Sequence, residues 1–144
     1  MSIPPRLSVV TIGALNLPGL RTFYGALGWE ELDGSDDDWA AYLVGGVLFA
    51  IYPLDELAQE AGAPDRPMTW SGTSFACNMD SPEDVDRAFD AALKAGATPI
   101  STPVSREWGG RSGYIADPEG NRWEIVWAPT ARFDDRGSLI GFGT

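Results

Sequence analysis

The run Arg122-Trp-Glu-Ile-Val-Trp127 sets a single carboxylate, Glu124, among aromatic and aliphatic side chains. A carboxylate in such a place needs a partner, a ligand or a wet cavity, because burying it alone is costly. The chain contains no histidine. Proton transfer, if this protein performs it, must therefore fall to Glu124, to Asp117, or to a tyrosine such as Tyr114 or Tyr52. Asp117 opens Asp-Pro-Glu-Gly, a setting in which aspartate favours turn formation over catalysis. Cys77 is the one cysteine. No sequence neighbour could activate it by proton transfer, so it reads as a small core residue rather than a nucleophile.

Strand alternation decides what Glu124 could meet. If it faces a cavity, Arg122 and Val126 face the same way, while Trp123, Ile125 and Trp127 point to the opposite face, against helices. Arg122 either forms a structural ion pair with Glu124 or leaves it free for a ligand, and the pattern favours neither. Trp39, Trp70 and Trp108 lie near loops or strand ends. They suit aromatic walls around a flat apolar or cationic ligand, or equally core and interface positions. Gly109-Gly110 brings the backbone close beside Trp108 and Arg111, as a loop over a pocket mouth or as a plain turn. The candidate ligand-binding residues are Glu124, Arg122, Tyr52, Trp39, Trp70, Trp108, Arg111 and Tyr114, with Glu124 also the candidate catalytic group.

The elements that must position these residues repeat. Leu7 to Gly13 reads as a strand. Leu20, Phe23, Tyr24 and Leu27 have helical spacing over residues 18–27, and Gly28 ends that helix. Strands follow at Trp29 to Leu32, Trp39 to Val44 and Val47 to Tyr52, separated by the Asp-rich Gly34 to Asp38 and by Gly45-Gly46. In the second half, Ser74 to Met79 is a strand. Ser81 caps a helix over 82–95, with Pro82 at its first position, Val85, Ala88, Phe89, Ala92 and Leu93 as its apolar stripe, and Gly96 closing it. Ala97 to Ser101, Ser112 to Ala116 and Arg122 to Trp127 complete a second β-α-β-β-β unit. The expected architecture is α+β, a single domain over 1–144. Its two βαβββ modules span about 6–53 and 72–128, joined by a linker over 54–71 that carries a short helix from Leu54 to Ala61. Residues 129–144 are left as a tail.

Phe23-Tyr24 followed by Leu27-Gly28-Trp29, the helix ending in Ala95-Gly96-Ala97, and Asp117-Pro-Glu-Gly-Asn121 leading to Trp123-Glu124 together resemble the vicinal oxygen chelate superfamily of glyoxalases, bleomycin-resistance proteins and extradiol dioxygenases. The resemblance covers nearly the whole chain. It implies two modules forming a curved mixed sheet around a cavity, and a homodimer. It also implies a divalent ion held by four side chains on the first and last strand of each module. Aligning the two halves puts those places at Val9, Ala50, Ser74 and Glu124, with Tyr52 the same-face neighbour of Ala50. Valine and alanine cannot coordinate, and serine is a poor ligand for the ions concerned. The expectation is therefore no metal and no cofactor.

Composition bounds the rest. A net charge of −11 repels phosphate backbones, so nucleic acid is excluded as a partner. No apolar run is long enough to span a membrane. The lone cysteine and a start, Met-Ser-Ile-Pro-Pro-Arg, without the features of a secretory signal point to the cytoplasm. The leading reading is a metal-independent protein that binds a small aromatic or cationic molecule, similar to the drug-sequestering resistance proteins. One alternative is a glyoxalase-like lyase or isomerase using Glu124 or atypical ligands. The other is a non-catalytic structural or interaction module.

Overall fold

The computed structural model describes residues 3, 5–63 and 71–143. The elements in order are β1 (Val9–Ala14), α1 (Leu17–Ala26), β2 (Ala40–Val44), β3 (Val47–Pro53), α2 (Leu54–Ala61), β4 (Ser74–Asn78), α3 (Pro82–Ala95), β5 (Thr98–Ser105), β6 (Arg111–Ala116), β7 (Arg122–Trp127), β8 (Ala131–Phe133) and β9 (Leu139–Phe142). The class is the expected α+β. Strands pair in the order β1-β3-β2, β4-β7-β6-β5 and β8-β9. Both larger sheets are mixed, with β1 parallel to β3 and β4 parallel to β7.

Each helix forms for a local reason. Asn16 caps α1, its Oδ1 accepting from the Gly19 N–H at 3.1 Å. Ser81 caps α3 through the Asp84 N–H at 3.1 Å, with Pro82 at the first position. Glu83 and Asp84 in the first turn of α3 and Lys94 in its last complement the helix dipole. Gly96 ends α3 at φ +112°, a conformation that only glycine adopts without strain.

Two expectations are corrected. Trp29 to Leu32 is not a strand, so the first sheet has three strands rather than four. The Leu32 N–H does donate to the Ala41 carbonyl at 2.8 Å. The segment is nevertheless held by side chains instead: the Arg21 guanidinium pairs with Glu31 at 2.6 Å and also bonds the Asp36 carbonyl. Two adjacent glutamates and an Asp-rich turn give little reason to extend the ladder. The tail, in turn, is not featureless. Its β8-β9 hairpin places Gly137 and Ser138 against Gly45 and Gly46 at the β2-β3 turn. The short helix expected at Leu54 to Ala61 forms as α2.

One core draws on both halves. Leu20, Phe23 and Tyr24 of α1, Val85, Phe89 and Ala92 of α3, Phe49 of β3 and Trp123 of β7 all belong to it. Aromatic rings cross between the modules: Phe49 meets Phe75 at 5.7 Å and Trp123 at 5.5 Å between centroids. The Tyr24 hydroxyl donates to Asp117 at 2.7 Å and accepts from the Trp123 indole N–H at 3.0 Å. The Glu119 carboxylate accepts from the Leu15 and Asn16 N–H groups at 2.8 and 2.9 Å, tying the β6-β7 turn to the start of α1. These bonds fix the second module's turn, and hence the start of β7, against the first module.

Candidate functional site

β7 presents two chemically different faces. Trp123 and Ile125 are buried in the shared core beneath α3. Arg122 and Glu124 lie on the opposite face, which α3 leaves open, as alternation requires. Register puts Tyr114 of β6 and Ala76 of β4 directly across from Glu124 on either side. Ser101 of β5 stands across from Tyr114 and extends the row. Burial raises the Tyr114 hydroxyl pKa, the neighbouring Glu124 charge raises it further, and the positive charge of Arg106 works against both.

Arg106 joins this face without having been expected there. Its Nε donates to Ser112 Oγ at 2.9 Å and its Nη2 to the Ser112 carbonyl at 3.2 Å. Its backbone N–H donates to Gly110 O at 2.8 Å, and it accepts from Gly109 N–H at 3.0 Å, closing the β5-β6 turn. A cation before an irregular hairpin carries no periodic signal. Its bonds to Ser112, across the hairpin, hold it on this face.

The other sequence-derived candidates distribute unevenly. Arg122 shares the open face with Glu124, but its Nη1 donates to the Gly120 carbonyl at 2.7 Å. Among the described residues the ion pairs are Arg21–Glu31, Arg87–Asp84, Arg111–Asp86 and Arg136–Asp134, so Glu124 has no cationic partner. Arg111 lies on the helix-covered face and grips both oxygens of Asp86 on α3, at 3.0 and 2.8 Å. That pair holds the Asp86 carboxyl below the usual carboxylate range. Tyr52 is directed to α2, where a hydrogen bond to Glu56 pushes its hydroxyl up to about 12. Trp39 immediately precedes β2, with its carbonyl 3.4 Å from Arg21 Nη2. Trp108 is 56% exposed at the β5-β6 turn, its ring folded onto Gly110. A side chain at Gly110 would collide with that ring and with the Trp127 carbonyl, so the glycine pair forms a tight turn. Trp70 lies outside the described residues. The structure thus brings together Glu124, Tyr114 and Arg122, adds Arg106, and places Arg111 on the opposite face.

The residues do not fit a divalent ion. In the observed register Val9 pairs with Leu48 and Ser74 with Arg122. The same-face positions directly across from Ala50 and Glu124 are Thr11 and Ala76. Either reading offers one carboxylate and at most one hydroxyl, too few donors for such an ion. Among the described residues no group of three or more His, Cys, Asp or Glu side chains is placed to hold an ion. No helix of the described chain is long and apolar enough to cross a membrane.

Comparison with known proteins agrees with this architecture. A glyoxalase-related enzyme from Fulvimarina pelagi superposes with a TM-score of 0.88 at 23% identity, covering 96% of this chain and 99% of that one. A lactoylglutathione lyase from Agrobacterium tumefaciens superposes at 0.67 with 20% identity, covering 88% and 96%. At these identities the likeness is one of fold. The uncharacterized protein Rv0887c of Mycobacterium tuberculosis is 33% identical over 78 residues, 54% of this chain and 45% of that protein. The chain therefore spans about half the length of the curated relatives it matches. The family model described as the glyoxalase/bleomycin resistance protein/dioxygenase superfamily matches residues 6–125. Continuous over both β-α-β units, that match places the chain in the glyoxalase/bleomycin resistance protein/dioxygenase superfamily.

Proposed function

We propose that the protein binds a small aromatic or cationic molecule on the open face of the second sheet, without a metal ion, using Glu124 as its polar anchor. The observation that carries this reading is the lack of a cationic partner for Glu124 among the described residues. It stands between Tyr114, which hydrogen-bonds to it, and Ala76, and among the described residues no arginine or lysine is paired to it. A half-buried carboxylate so placed favours a cation or a hydrogen-bond donor. Tyr114 supplies an aromatic surface beside it, and the chain's charge of −11 attracts cations over longer range. A homodimer belongs to the same reading. Leu43, Ile140 and Phe142 are about two-thirds exposed, more apolar surface than a small monomer ordinarily leaves to water.

The test is titration with cationic aromatic compounds, followed by tryptophan fluorescence, in parent and Glu124→Gln proteins. The substitution keeps shape and removes charge. Affinity should fall by about 1.5–3 kcal/mol, the usual worth of a hydrogen bond to a charged group. Equal binding by both proteins would make the carboxylate structural. A second reading, a lyase or isomerase with Glu124 as base, draws support from the lactoylglutathione lyase among the structural neighbours. Elemental analysis of protein purified without chelator separates the two: one mole of divalent transition metal per chain would favour the enzyme.

A further inference from the structure

The face of β7 opposite Glu124 borders a cavity of about 190 Å³ that the proposed Glu124 site does not use. Trp123 and Ile125 of β7, Ile115 of β6 and Cys77 of β4 form its floor. Trp29 and the end of α1 form one wall, and α3 forms the other. The wall on α3 is built from Ala88, Ala91 and Ala92, where larger side chains would fill the space. Ala91 on α3 and Ala26 at the end of α1 are exposed, so the cavity opens to solvent between the two helices.

We infer that this interhelical cavity is a second binding site, taking an uncharged, apolar molecule of about the size of toluene or indole. Four features carry the assignment. The space is many times the volume of a water and opens between the helices, which gives a guest a way in. Its lining carries no ionisable group except the Cys77 thiol, which burial keeps protonated at neutral pH. An ion or strongly polar ligand would therefore lose its hydration without compensation. An apolar cavity of about 150 Å³ admits benzene, which sets the size class. Two indoles, Trp29 and Trp123, meet edge to face at 5.5 Å, and the Met79 and Cys77 sulfurs add polarisable contacts that suit a flat aromatic guest. Because Trp123 and Glu124 are neighbours on one strand, the two proposed sites lie on opposite faces of the same sheet.

Cys77 is the chain's one cysteine, so its alkylation reports this cavity alone. The experiment is labelling of Cys77 by N-ethylmaleimide with and without toluene, followed by mass spectrometry. At a toluene concentration about ten times its Kd, labelling should slow about tenfold. In parallel, toluene should raise the Tm of the parent protein and leave that of Ala91→Leu unmoved. Leucine at this exposed helical position preserves the helix and plugs the mouth. Labelling that ignores toluene, or an Ala91→Leu protein that responds to toluene as the parent does, would overturn the assignment. If Ala91→Leu does not fold, the labelling of the parent decides.

Discussion

The Tyr24 hydroxyl donates to the Asp117 carboxylate at 2.7 Å across ninety-three residues of sequence, entirely within the core. Asp117 is at the same time the keystone of its own turn. Its Oδ1 accepts from the Glu119 and Asn121 N–H groups at 2.9 and 3.0 Å, and its Oδ2 accepts from the Asn121 side chain at 2.8 Å. One tyrosine therefore couples the first module's helix to the turn from which β7 starts. Tyr24→Phe should cost about 1–3 kcal/mol, because it leaves both Asp117 and the Trp123 N–H short of a partner. Urea unfolding measures it, and an unchanged midpoint would show that water replaces the hydroxyl.

All four tyrosines hold their protons more tightly folded than unfolded. Burial does this to Tyr24, to Tyr42, which rises to about 12, and to Tyr114; the bond to Glu56 does it to Tyr52. Below the unfolded value of about 10 both states are protonated and no penalty exists. Above it the unfolded chain releases protons that the native state keeps, so stability falls as pH rises. The slope should reach up to about 1.4 kcal/mol per pH unit for a tyrosine as buried as Tyr24. Unfolding free energies measured from about pH 8 to about pH 11.5 should be flat and then decline. The decline should be shallower in Tyr24→Phe, and a profile flat throughout would contradict the prediction.

Two glycines should respond with opposite sign. Gly25 lies within α1 with nothing near a would-be Cβ, and its φ is ordinary. Gly25→Ala should stabilise by about 0.5–1 kcal/mol, since alanine has less backbone freedom to lose. At Gly113 a Cβ would stand 2.8 Å from the Ser101 carbonyl oxygen and 2.9 Å from the Pro103 nitrogen, both backbone atoms of β5. Gly113→Ala should destabilise by about 1–3 kcal/mol, because backbone cannot swing aside as a side chain would. Thermal unfolding of the two variants checks both signs.

Light scattering at micromolar concentration should return twice 15.5 kDa. Replacing Phe142 and Ile140 by serine, on the exposed face of the tail hairpin, should shift the protein toward monomer if that apolar surface is the contact. A parent protein that is monomeric throughout would remove the dimer from the proposed function.

Much of this protein was legible in its sequence, because local rules wrote it. Ser81, Pro82 and Gly96 mark the ends of α3 through bonds made within a few residues. The period of two along Arg122 to Trp127 separates Glu124 from Trp123 whatever the rest of the fold does. The lack of histidine is read directly from composition. Tertiary structure decided what depends on partners distant in sequence. Glu30 and Glu31 leave the ladder because Arg21, on a helix, claims one of them. Arg111 finds Asp86 on α3, whereas Arg106 finds Ser112 on the other face, and neither partner lies at a periodic spacing in the sequence. The cavity beside Trp123 was not readable at all. Alanines at helical spacing signal good helix formers, and only the distance between two packed helices turns their small size into empty space.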